Sequence, residues 1–171
     1  MRGFIVGVVA TLLLLACGGW LVANRGWYPI GADNPPGTME RRLANMAMDA
    51  YVDAHAPSRE NPFKPTPDNL TSGAQTYEMH CALCHGGAAD RISKMRTKFN
   101  PPAPQLINRI PGGPDANLWW VTKHGVRLTG MPSWDGVVSD EDIWKTILFV
   151  KHSDKLPPET QKAWKEAAGV M

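Results

Sequence analysis

Two of the three cysteines in this 171-residue chain, Cys81 and Cys84, stand three positions apart with His85 directly behind the second. A structural zinc site needs four ligands, and no second C-x-x-C or C-x-x-H follows. A thioredoxin-like thiol pair sits in βαβ surroundings, which the Pro- and Gly-rich stretch after His85 does not supply. A surface disulfide between the two cysteines leaves His85 without a purpose. The reading that uses all three residues is covalent attachment of a haem. Two thiols on one turn form thioethers with the two vinyl groups of one haem edge, and the adjacent imidazole reaches the iron from that side. The expectation is therefore one covalently attached haem c, held by Cys81, Cys84 and His85, with His85 as the proximal iron ligand.

An iron in haem has six positions, four taken by the macrocycle and one by His85, so the opposite face decides between electron transfer and ligand chemistry. Met79, His80 and Met95 lie too close in sequence to His85 to cross easily to that face, and His55 precedes the domain. His124 and Met131 remain. Met131 sits in Thr129-Gly130-Met131-Pro132-Ser133-Trp134, where Gly lets the backbone approach and Pro holds an extended loop, whereas His124 ends a helical stretch. Met131 is the expected distal ligand.

The N-terminus carries a second strong signal. From Phe4 to Ala23 the chain runs twenty residues without a charge, enough helix at ~1.5 Å per residue to cross a ~30 Å hydrocarbon core. A cleaved secretory signal has a shorter apolar core than this, of roughly 7 to 15 residues. The run Leu14-Leu15-Ala16-Cys17-Gly18 also resembles a lipoprotein signal with Cys17 as the lipidated residue, although the apolar segment does not stop there. The favoured reading is a retained anchor with Arg2 inside and Trp20, Trp27 and Tyr28 at the outer interface, so that everything after about Asn24 is extracytoplasmic. The net charge of +2 is too small to suggest a nucleic-acid binder.

The remaining sequence reads as three parts: residues 1–24 as anchor or uncleaved signal, 25–68 as a spacer with one amphipathic helix, and 69–171 as the haem domain. Met39 to Ala54 places Leu43, Met46, Ala47, Ala50, Tyr51 and Ala54 on one side of a helix capped by Thr38. That stripe needs a partner, either its own domain, the membrane surface or another subunit. Pro57 to Asp68 reads as a linker, and Thr71 or Ser72 as the cap of a helix leading to Cys81. Gly86 to Gly113 reads as irregular, Asp115 to His124 as a short helix ended by Gly125, Ser139 as the cap of a helix through Lys151, and Glu159 to Ala168 as a last, mostly polar helix.

Gly73-x-x-x-Tyr77-x-x-x-Cys81-x-x-Cys84-His85-Gly86, Pro104-x-Leu106 and Lys123-His124-Gly125-Val126-x-x-Thr129-Gly130-Met131-Pro132-x-Trp134 together resemble the class I cytochrome c family, in particular membrane-anchored monohaem cytochromes of bacteria. The resemblance covers about Asn69 to Asp154. It implies an all-α fold in which three or more helices wrap the haem and the first and last cross, with Gly73 and Tyr77 meeting Phe149. It implies that the Pro104 carbonyl accepts from the free nitrogen of the proximal imidazole, and that Leu106 packs on the haem. Where the family often has an apolar residue three positions before its closing aromatic, this chain has Thr146. Trp119, Trp120, Trp134 and Trp144 are best read as core residues, with lining the haem pocket or donating an indole N–H to a propionate as the alternative.

The function expected is a one-electron carrier held to the outer, periplasmic face of a bacterial cytoplasmic membrane, working between respiratory-type partners and transforming no substrate itself. Its rivals are a permanent electron-entry subunit of an oxidase or dehydrogenase complex, a haem enzyme or gas sensor with a labile distal ligand, and a tethered thiol oxidoreductase. Between Gly86 and Met131, seven basic residues stand against Asp90 and Asp115. They suggest a basic docking rim for redox partners with acidic patches, with Lys94, Lys98, Lys123 and Arg127 steering the encounter.

Overall fold

The computed structural model describes residues 1–107 and 109–169. Among these, the regular elements are all helical: α1 (Arg2–Asn24), α2 (Thr38–His55), α3 (Pro67–His80), α4 (Ala82–His85), α5 (Asp115–His124), α6 (Asp140–His152) and α7 (Pro158–Ala167), with a 3-10 turn at Lys94–Lys98. The chain forms two compact units, Met1–Asn34 and Pro35–Met171. In the first, α1 is 23 residues long, buries none of its side chains and is long and apolar enough to cross a membrane. Cys17 is an exposed free thiol on it.

The second unit is organised around α6. Seven of its thirteen residues are buried, from Ile143 and Trp144 through Thr146 to Val150. One core gathers Ala74, Tyr77, Ile107, Phe149, Val150, Leu156 and Trp164. The other gathers Ala116, Trp119, Ile143, Trp144 and Ile147. α3 crosses α6 where Gly73 lies against the Lys145 carbonyl and the Phe149 Cβ, so close that any side chain would drive into the Lys145 backbone. Tyr77 then meets Phe149 at 5.4 Å between ring centroids. α6 opens as expected, with the Ser139 hydroxyl accepting from Asp142 N at 3.1 Å.

Three local expectations are corrected. α3 is capped by Thr66, whose hydroxyl accepts from Asn69 N at 3.4 Å, rather than by Thr71 or Ser72. Pro67 occupies the first turn, where a missing N–H has no bond to lose, so the helix starts inside the stretch read as linker. α2 is capped at Gly37 rather than Thr38, with Glu40 reaching back to the Gly37 N–H at 3.3 Å. Finally, the α2 stripe is left exposed at Leu43, Met46, Ala47, Ala50, Tyr51 and Ala54, and the residue α2 buries is Val52, outside the stripe; Tyr51 still meets Trp120 of α5 at 5.6 Å and Asn117 donates to Asp53 at 2.7 Å.

α7 is more than a polar tail. Thr160 and Trp164, four residues apart, are buried against α3, and Thr160 shares a 3.0 Å hydrogen bond with Thr71. One Trp and one Thr make too sparse a stripe for periodicity to register.

Candidate functional site

The C-terminus of α3 and the single turn of α4 carry both thiols and the imidazole. Cys81 ends α3 and begins α4, and Gly86 closes the turn at φ +83°, in the left-handed region that glycine enters without strain. The Tyr77 hydroxyl donates to the Gly86 carbonyl at 2.6 Å. His85 Nδ1 lies 2.7 Å from the Pro104 carbonyl oxygen. A carbonyl only accepts, so the proton sits on Nδ1 and Nε2 is left as the open donor atom. Burial lowers the His85 pKa more than the Pro104 bond raises it, which keeps the ring neutral and able to ligate.

The backbone of this turn is pinned from the loop opposite. Leu106 N donates to the His85 carbonyl at 3.1 Å, and Gln105 Nε2 to the Cys84 carbonyl at 3.0 Å. Gln105 Oε1 accepts from Ser93 N at 2.5 Å, and the Ser93 hydroxyl donates to the Leu83 carbonyl. Pro104 itself is exposed, and Leu106 is half-buried against the first core. Gln105 and Ser93 escaped the reading of the sequence, because a Gln between Pro104 and Leu106 has no motif of its own.

Cys81 and Cys84 are free thiols. Burial, then the neighbouring Cys84 and Glu78, push the Cys81 pKa up to about 12, and burial raises Cys84 as well. Reactive redox cysteines need the opposite shift, toward thiolate at neutral pH. This is poor chemistry for a dithiol oxidoreductase.

A small gap beside Cys81, with room for about 10 Å³, is lined by Thr76, His80, Thr122, Trp134, Val138, Ile143 and Thr146. The buried Thr146 hydroxyl has no hydrogen-bond partner among the described residues. Trp134 faces His80 across it at 5.0 Å between ring centroids, and His80 is half-buried rather than exposed as its sequence context suggested. Met131 is half-buried in a loop tied on both sides, its N–H donating to the Thr129 hydroxyl at 3.1 Å and its carbonyl accepting from Val126 N at 3.1 Å. Gly125, at φ +70°, abuts Pro132, and Gly130 lies against the Phe99 ring. His124 is engaged elsewhere, packed on Trp120 at 4.6 Å. Trp119 and Trp144 stack at 5.3 Å in the second core, and both indole N–H groups are buried without a partner among the described residues.

The donor set suits a haem: two thiols on one turn and an oriented neutral imidazole with Nε2 open. Cys81, Cys84 and His85 would hold it from one side. It would supply an iron that alternates between two oxidation states one electron apart.

The charge pattern needs one correction. Lys123, expected as a free docking charge, bonds Asp140 at 2.7 Å, lies 3.6 Å from Asp135 and sits 5.0 Å over the Trp119 ring, with its side chain 19% exposed. The Asp140 hydrogen bond raises its pKa. Lys98 and Arg127 remain at the surface, and Lys94 stays exposed while 3.9 Å from Asp90.

An all-helical fold built around this turn fits the c-type cytochrome domain that the sequence resembles. The match to known families agrees: residues 68–150, just under half of the chain, match the family described as cytochrome C oxidase, cbb3-type, subunit III. That segment is a cytochrome c domain, a haem-based electron-transfer module. No curated protein matched the chain.

Proposed function

We propose that the protein is a one-electron carrier with a single haem c, bound through thioethers to Cys81 and Cys84 and ligated by His85 and Met131. The observation that carries this reading is the imidazole at 2.7 Å from the Pro104 carbonyl, on the same turn as both thiols. A ring fixed by such a hydrogen bond presents a single nitrogen in a set direction, the preparation that a permanent axial ligand requires. A thioether sulfur opposite an imidazole raises the reduction potential relative to two nitrogen ligands. Held in the membrane by α1, the domain works on the outer face of a bacterial cytoplasmic membrane, and its basic surface residues favour respiratory partners with acidic patches.

The description of the matching family supports a second reading, permanent membership of a membrane oxidase complex. Gel migration after mild solubilisation separates the two: the carrier runs alone, the subunit with its complex. The founding test is simpler. Denatured in acid and detergent, the purified protein keeps its haem spectrum, whereas a colourless chain overturns the reading.

A further inference from the structure

Glu78 lies one helical turn before the haem-binding turn and, beyond its influence on the Cys81 thiol, has had no role in the site so far. Its Oε2 accepts from the Ala88 N–H at 3.2 Å and from the Trp164 indole N–H at 2.6 Å. Gly87 is packed so tightly on the same carboxylate that a Cβ there would lie 2.6 Å from Oε1. Tyr77 and Glu78 therefore hold the stretch just after His85 at two points, the Gly86 carbonyl and the Ala88 amide. Trp164 comes from α7, beyond the family match, and is 5% exposed, edge-on to Phe149 at 5.1 Å.

We propose that Glu78 is a positioning residue for the segment carrying the proximal ligand, that Trp164 locks it in place, and that the pair sets the negative charge felt on that side of the haem. α7 is then part of the cofactor-holding apparatus. The inference rests on the haem reading above. Its physical content is a sign. A carboxylate near the iron favours the oxidised state, which carries one more positive charge, and an N–H donated to that carboxylate offsets part of its charge.

Two conservative variants pull in opposite directions. Glu78→Gln keeps the volume and an oxygen acceptor but removes the charge, so the midpoint potential rises. Trp164→Phe keeps the ring against Phe149 but removes the N–H, so the charge is less offset and the potential falls. A role in packing alone moves neither, or moves both the same way. Potentials are read by redox titration of the purified full-length holoprotein in detergent. In parallel, hydrogen exchange at the Ala88 amide accelerates in Glu78→Ala by about tenfold or more, the value of a bond to a charged acceptor, and stays slow in Glu78→Gln. Shifts of the same sign, no shift in proteins with intact haem spectra, or unchanged Ala88 exchange in Glu78→Ala overturns the inference. A wild-type chain without covalent haem instead overturns the functional reading beneath it.

Discussion

At the scale of single residues, the proximal turn leaves the least freedom. Cys81→Ser or Cys84→Ser leaves at most one thioether and His85→Ala removes the proximal ligand, so each loses stable holoprotein, read as haem retained after denaturation. A bound haem is part of the core, and its loss withdraws the stabilisation that binding contributes. Met131→Ala abolishes the sulfur-to-iron charge-transfer band of the oxidised protein, lowers the potential and opens the iron to carbon monoxide. His124, tilted against Trp120, does none of this when replaced by Ala. The opposite result reassigns the distal ligand. The Cys81-Cys84-His85 grouping was legible because it is a local spacing that no fold can alter. The engagement of Lys123 was not, because Asp135 and Asp140 reach it only once the loop after Gly125 has folded back. Glu78 was hidden for the same reason, since its partner Trp164 lies 86 positions away.

Among the elements, the α3–α6 crossing is the most sensitive. Gly73→Ala pushes a methyl into the Lys145 carbonyl, and overpacking of this kind costs about 1–3 kcal/mol, visible as a lowered denaturation midpoint with an unchanged haem spectrum. The α7–α3 contact gives a second test. Thr160→Val removes a fully buried hydroxyl that bonds Thr71 and strands its partner, for a loss of about 1–2 kcal/mol by the same measurement. The starts of α5 and α6 could be read from Asp115 and Ser139, since caps and early acidic residues act within one turn. The burial of α7 could not, because it depends on α3 providing a wall. For α2 the sequence showed a stripe without showing that it would stay exposed and that Val52, beside it, would be the residue to find one.

For the whole molecule, the proposed carrier reading makes the basic excess between Gly86 and Met131 the guide of its encounter with partners. A rate steered by charge falls steeply as the Debye length shrinks from ~10 Å at 0.1 M salt to ~3 Å at 1 M. Charge reversal at Arg127, exposed at the surface, slows electron transfer at low salt and loses its effect at high salt. Reversal at Lys123 behaves differently: a carboxylate placed between Asp135 and Asp140 destabilises the domain, and the deficit persists in salt. Stopped-flow rates across ionic strength distinguish the two variants, and a flat profile for the wild type favours the permanently docked subunit. The bare flank of α1, with no side chain covered by the rest of its unit, alters the reckoning of such rates. A carrier retained in a bilayer by that helix meets membrane partners in two dimensions, so turnover follows copies per unit of membrane area rather than per unit of volume. Diluting the protein with added lipid slows it, while diluting the suspension with buffer leaves it unchanged.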